Sequence, residues 1–206
     1  MSSSRFSSSL YLLITFAFLL KNVLGANPLY HFCSSSETFT TNGPYESNLN
    51  KLTAYLNYQA PLTGFRKGSL GHKPNQANGL ALCRGDMSSY DCKTCVVEAS
   101  SEIRKCCPNN KVAIIWYNNC LFKYSDKDFF RKIDNQNKFY MYNTRSTQLY
   151  GLTQCTTDLS SYECKKCLDV IIGELPRCCD GKQGGRVISG SCNFIYEIYP
   201  FVNGHY

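Results

Sequence analysis

The chain is poor in the residues that hydrolytic and metal chemistry draw on: its only histidines are His31, His72 and His205. They lie far apart, and no Ser, His and Asp arrangement or paired-carboxylate motif surrounds them. The sequence therefore gives no support to a catalytic triad or a glycosidase-type acid pair. Long apolar runs are missing too. The longest uncharged one, residues 10–20, has 11 residues, short of the roughly 20 that a helix needs to cross a bilayer. Set between Arg5 and Lys21-Asn-Val-Leu-Gly25-Ala26, it has the layout of a secretory signal peptide over residues 1–25, cleaved after Gly25. No Asn-x-Ser/Thr acceptor occurs, which argues against N-glycosylation. Charge of one sign is scarce: the net value is +7, and loss of Arg5 and Lys21 would leave +5. The bases, such as Arg66, Lys67, Arg104, Lys105, Arg131 and Lys132, are scattered among acids. That pattern speaks against a nucleic-acid surface and leaves only weak attraction to acidic polymers.

Cysteine is what the chain has in excess, with 13 in all. Cys83, Cys92, Cys95, Cys106, Cys107 and Cys120 recur as Cys155, Cys164, Cys167, Cys178, Cys179 and Cys192 at a constant offset of 72 residues. The flanking text repeats as well: Ser88-Ser-Tyr-Asp-Cys92 answers Ser160-Ser-Tyr-Glu-Cys164. Two related modules therefore stand in tandem. Behind a signal peptide disulfides persist, so the cysteines read as a covalent framework. The CxxC pairs Cys92 with Cys95 and Cys164 with Cys167 also invite zinc and redox readings. A structural zinc wants four converging ligands, and a redox pair wants a thioredoxin-like setting; neither is present in the sequence.

Periodicity supplies the elements. Residues 29–33 read as a strand and 34–44 as a loop. Tyr45, Leu49, Leu52 and Leu56 mark one face of an amphipathic helix. A turn-rich stretch over 64–71 and a strand over 79–83 follow. Ser88 to Asp91 is a capping box that opens a second helix, which Pro108 ends after Cys106-Cys107. The β-branched and aromatic run 112–117 and the segment 120–124 are strands. The second copy repeats the capping box at Ser160 to Glu163, the helix, and a strand pair over 186–201. Gly181, Gly184 and Gly185 read as a hairpin turn, since no Lys-Ser pair or preceding strand makes them a phosphate loop. Each module is thus α+β, an antiparallel sheet with helices packed on one face.

The copies are unequal. Cys33 lies 50 residues before Cys83, whereas 50 residues before Cys155 is Lys105, inside the first module. The second module therefore lacks the first helix and any cysteine answering Cys33, and 139–146 is the only candidate for its opening strand. The loss should expose sheet surface unless the first module covers it. An odd cysteine count leaves at least one thiol free or paired with another chain.

The combined signature resembles the plant ginkbilobin-like domain, also called the stress-antifungal or salt-stress-response domain. It comprises Cys-x8-Cys-x2-Cys, Ile114-Ile-Trp-Tyr-x-x-Cys120-Leu-x-x-Tyr124, and Gly184-Gly-Arg-Val-x-x-x-Ser-Cys192-Asn-x-x-Tyr196-Glu-x-Tyr-Pro-Phe201. The arrangement resembles the cysteine-rich repeat secretory proteins, with a complete domain over 27–127, a linker over 128–138 and a truncated domain over 139–206. The resemblance implies the pairings Cys33 with Cys107, Cys83 with Cys92, Cys95 with Cys120, Cys155 with Cys164, and Cys167 with Cys192. It leaves Cys106, Cys178 and Cys179 unassigned, with Cys179 free, bridged to Cys178, or available for a disulfide-linked dimer. In the family's mannose-binding antifungal form the sugar is held by an Asn after the first cysteine, an Arg six before the last, and a Glu five after it. Ser34, Ile114 and Ser125 stand at these places in the first module and none matches. Arg186 and Glu197 match in the second, where the Asn place is expected to have gone with the missing segment. The rival reading of Arg186 and Glu197 is a salt bridge between strands.

These features together imply a non-enzymatic protein of the plant apoplast that acts in stress or defence by binding a carbohydrate or a cell-surface protein. The alternative is a mannose-binding lectin that acts directly on microbes. No cofactor, metal, nucleic-acid partner or membrane span is called for.

Overall fold

The computed structural model describes residues 27–34, 36–143 and 149–202. The expected signal segment and His205 lie outside them. The first module is a five-stranded antiparallel sheet in the order β1-β4-β5-β3-β2. Its strands are β1 (Tyr30–Cys33), β2 (Phe65–Leu70), β3 (Ala77–Cys83), β4 (Ala113–Trp116) and β5 (Cys120–Ser125). Two helices, α1 (Pro44–Thr63) and α2 (Ser89–Cys106), cover one face. The second module has β6 (Phe139–Asn143), β7 (Tyr150–Cys155), β8 (Gly184–Ile188) and β9 (Cys192–Glu197) in the order β6-β8-β9-β7. Its helices are α3 (Ser161–Gly173) and the single turn α4 (Leu175–Cys178).

Local chemistry accounts for the helices. Pro44 sits in the first turn of α1, where its missing N–H costs nothing, and Gly64 ends the helix at φ 76°. Tyr45, Leu49, Leu52 and Leu56 form its buried stripe, as their spacing predicts. Ser88 caps α2 by accepting from the Asp91 N–H at 3.1 Å. The two expected capping boxes differ, however. Glu163 reaches back to the Ser160 N–H at 2.9 Å and completes the box, whereas the carboxylate of Asp91, shorter by one methylene, accepts from the Ser88 hydroxyl at 2.6 Å.

All five implied disulfides are present: Cys33–Cys107, Cys83–Cys92, Cys95–Cys120, Cys155–Cys164 and Cys167–Cys192. The CxxC cysteines thus bond to the sheet rather than to each other. Cys178 and Cys179 are bonded to one another, and Cys106 is the free cysteine among the described residues.

The first sheet is two-faced because side chains alternate along each strand. Ala81, Cys83, Ala113, Ile115, Cys120, Phe122 and Tyr124 point to the helices. Leu80, Leu82, Ile114, Trp116 and Leu121 point the other way and meet Ile188 and Phe139 of the second module. Trp116, only 2% exposed, donates its indole N–H to the Ser189 carbonyl at 3.1 Å. It also meets the Phe139 ring edge-on at 5.4 Å. Residues 128–138 carry no helix or strand, yet they tie the modules together. Asp134 accepts from Lys123 of β5 at 2.6 Å, its N–H donates to Ser191 at 2.8 Å, and its carbonyl accepts from Gly190 at 3.0 Å.

Docking of the first module does not cover the surface left by the missing helix, because it takes the opposite face. In the first module a Cβ on Gly79 would lie 3.1 Å from Leu56 and 3.2 Å from Leu52 of α1; on Gly151, its counterpart, the nearest atom is 3.9 Å away, a backbone oxygen. Phe122 and Tyr124 are each 1% exposed, whereas their counterparts Phe194 and Tyr196 are half-buried. Thr153 replaces Ala81 on the open strip, and Tyr196 finds a partner for its hydroxyl in the Cys179 carbonyl at 3.3 Å. The counterpart of β2 is missing as well as that of α1, so β7 is an edge strand.

Two expectations follow from the docking. Trp116→Ala should lower stability to urea by about 3–5 kcal/mol. Phe139→Ala, which uncovers the ring of the only tryptophan, should move its emission to longer wavelength, and an unmoved maximum would rule out docking through this ring pair. For Asp134, burial acts to raise the carboxyl pKa, but the charge and hydrogen bond of Lys123 overcome it and hold the group below the usual carboxylate range. A depressed folded pKa contributes stability that is present above the unfolded value of about 3.9 and is lost as pH falls through the folded one. Asp134→Asn, which strands a buried ammonium, should cost about 3–5 kcal/mol at neutral pH. It should also flatten the fall in urea midpoint between about pH 5 and about pH 3; an unchanged slope would show that Asp134 does not carry that dependence.

Candidate binding site at the end of the second sheet

Arg186 sits in the middle of β8 and Glu197 at the end of β9, on the same face of the sheet as Ile188 and Ile195. Nε of Arg186 lies 3.4 Å from Oε1 of Glu197. Both predicted residues are therefore brought together, as an ion pair between strands whose side chains are 14% and 6% exposed. Charge-assisted pairing fixes the guanidinium plane. A second contact comes from the first module, where Asn118, in the turn between β4 and β5, accepts from Nη1 of Arg186 at 2.7 Å. Oε2 of Glu197 is buried and has no hydrogen-bond partner among the described residues. It lies over Gly184, where a Cβ would stand 2.3 Å from it.

The glycines thus have a role other than the expected turn. Gly181 alone is in a turn, at φ 67°. Gly184 and Gly185 open β8, which follows a helix rather than a hairpin partner. They are glycine because Glu197 approaches one and the ring of Tyr196, with the sulfur of Cys179, approaches the other.

Strand register revises the third position. In the first module the Ser34 N–H donates to the Val112 carbonyl at 3.0 Å, and Cys33 lies opposite Ala113. In the second, Asn143 lies opposite Gly184 and Tyr142 opposite Gly185. Applying the 72-residue offset, Tyr142 takes the place of Cys33 and Asn143 the place of Ser34. The Asn place therefore did not go with the missing segment: only 13 residues separate Tyr142 from Cys155, where 50 separate Cys33 from Cys83. Counting back from the cysteine missed the correspondence because the deletion falls between the two. Comparing Phe139-Tyr-Met-Tyr-Asn143 with Tyr30-His-Phe-Cys-Ser34 as strands would have found it. With tyrosine where Cys33 stands, Cys179 has no cross-strand partner, and it bonds to Cys178 instead.

The corresponding corner of the first module is structural. Ile114 is buried against the second module, and the carbonyl of buried Ser125 accepts from Asn78 at 3.3 Å. The two described histidines are not brought together: His31 is on β1 and His72 follows β2, at opposite edges of one sheet. A small pocket of about 50 Å³ lies between the modules, lined by apolar residues such as Leu82, Leu152 and Ile195 and by Arg84, Gln154 and Arg186. With a water's share of liquid near 30 Å³, it has room for water rather than for a sugar ring. Among the described residues no group of three His, Cys, Asp or Glu side chains could hold a metal ion, and no helix is long and apolar enough to cross a membrane.

The tandem of disulfide-stapled sheets is shared with known proteins. The chain superimposes on the tandem DUF26 ectodomain of the Arabidopsis thaliana cysteine-rich receptor-like protein PDLP8 with a TM-score of 0.78 over 85% of this chain and 100% of that one, at 23% identity. That likeness concerns the fold. In sequence it is 51% identical to cysteine-rich repeat secretory protein 38 of Arabidopsis thaliana, over 84% of this chain and 85% of that protein. It is 46% identical to the antimicrobial ginkbilobin-2-like protein of Castanea crenata, over 98% of this chain and all of that protein. The latter alignment spans 242 positions against the 206 residues of this chain, so the relative has residues with no counterpart here. The salt stress response/antifungal domain matches twice, over residues 32–127 and 128–199, and the chain belongs to that family.

Proposed function

We propose that this is a secreted, non-enzymatic protein of extracellular stress or defence, and that it binds a mannose-type glycan at the corner formed by Arg186 and Glu197, beside the β6 backbone at position 143. The names of its relatives, a secretory protein and an antimicrobial one, support the setting. The observation that carries the site is register, which sets the backbone of residue 143 opposite Gly184 on β8, two residues from Arg186 and against Glu197. Arg186 is held ready by Glu197 and Asn118, and the small exposed fraction of the pair admits hydroxyls rather than bulky groups.

A second reading rests on the Asn118 contact: the pair serves docking of the modules, and the ligand is a protein bound elsewhere. The two separate in one experiment on purified secreted protein, with mannose and mannan titrated by calorimetry. Arg186→Ala and Glu197→Gln should each weaken mannose binding by about tenfold or more, as expected for a hydrogen bond to a charged group. Asn118→Ala, which frees the guanidinium from the first module, should lower thermal stability and weaken mannose binding by less than either site substitution, about threefold. Absence of mannose binding, or binding indifferent to both site substitutions, sinks the glycan site and leaves the docking role.

A further inference from the structure

Three cysteines come together where α2 ends. Cys107 is bonded to Cys33 of β1. Cys106 is a free, half-buried thiol, and its carbonyl oxygen lies 3.5 Å from the Cys33 sulfur. In the second module the same two positions, Cys178 and Cys179, are bonded to each other. The backbone frames match. The Cys107 N–H donates to the Ile103 carbonyl and the Cys179 N–H to the Leu175 carbonyl, both at 2.9 Å. Cys107 has φ −122° and ψ 62°, and Cys179 has φ −137° and ψ 15°, so the two differ mainly in ψ. The chain therefore displays both outcomes of one choice at a shared turn.

We propose that the first module exchanges between two pairings, Cys33–Cys107 with Cys106 free, and Cys106–Cys107 with Cys33 free. The Cys106 thiolate attacks the Cys107 sulfur. The bond between the Cys106 and Cys107 sulfurs forms as that between Cys107 and Cys33 breaks, and the electron pair leaves on the Cys33 sulfur. The proton given up by Cys106 is balanced by one taken up at Cys33, so the step needs no oxidant or reductant.

The consequence reaches the module interface. β1 is an edge strand held by its pairing with β4 and by the bond from Cys33, and its Tyr30 ring lies 5.3 Å from Phe139 of the second module. Release of Cys33 removes the covalent hold on that strand. The exchange is slow while Cys106 stays protonated, because only the thiolate attacks. Burial, and then the Glu102 carboxylate that accepts from the thiol at 3.8 Å, push its pKa up, with Lys105 opposing. The titratable groups approaching from other elements are Tyr117 after β4, and His31 on β1, which acts on Glu102.

The test is a thiol map of the secreted, oxidised protein after incubation between about pH 6 and about pH 8, with acid quenching, alkylation and peptide mass spectrometry. Exchange predicts alkylated Cys33 together with a Cys106–Cys107 bridged peptide, formed about tenfold faster per pH unit below the thiol pKa. Cys106→Ser, which leaves the Cys33–Cys107 bond intact, should reduce Cys33 labelling to background, and Glu102→Gln should speed its appearance. Label on Cys106 alone under all conditions, label on Cys107 in place of Cys33, or Cys33 label that persists in Cys106→Ser would each overturn the proposal.

Discussion

Four cysteines in each module impose the constraint on which the rest depends. Cys83 and Cys120 face each other across β3 and β5, and Cys155 and Cys192 do so across β7 and β9. Each such pair reaches up to two helix cysteines three residues apart, Cys92 and Cys95 or Cys164 and Cys167. A helical separation of three keeps both sulfurs on the face that looks at the sheet. One staple thereby sets the height, position and rotation of the helix over two strands. Each bridge also restricts the unfolded chain, contributing about 2–4 kcal/mol in the usual model. That contribution is what lets a module persist after losing α1 and β2, since small domains with thin cores depend on such links.

With the helices fixed on one face, the other face of the first sheet is committed to the second module. Leu80, Leu82, Ile114, Trp116 and Leu121 find their cover there, and Asp134 links Lys123 to the turn that follows β8. The second sheet turns its Arg186 and Glu197 face inward as a result. The candidate corner is therefore a product of docking as much as of its own strands, because Asn118 of the first module holds the guanidinium that the second presents. The strip left open by the lost helix lies on the far side, softened by Gly151 and Thr153 where a helix-covered sheet has Gly79 and Ala81.

Much of the fold was legible because its signals are local. The stripe of Tyr45, Leu49, Leu52 and Leu56, the caps at Ser88 and Ser160, and the strands around Trp116 all express side-chain periodicity or backbone hydrogen bonding within a few residues. The absence of the first helix from the second module also showed in the spacing of the cysteines. What failed were correspondences carried by pairing across strands. Gly184 and Gly185 looked like a turn because their crowding comes from Glu197 and Tyr196, residues on another strand. Asn143 went unseen because chain distance does not measure register once a segment has been deleted.

The sequence by itself determined the repeat, the α+β elements, the asymmetry of the modules and the surplus of one thiol, because these are counts and periods along a line. Tertiary structure decided which thiol is surplus. Tyr142 stands opposite Gly185, where Cys33 stands opposite Ala113, so Cys179 turns to its neighbour and Cys106 is left unbonded. It also decided that the first module packs against the face that carries Arg186 and Glu197 rather than the bare one, since that choice depends on which side of a pleated sheet is already occupied by its own stapled helix.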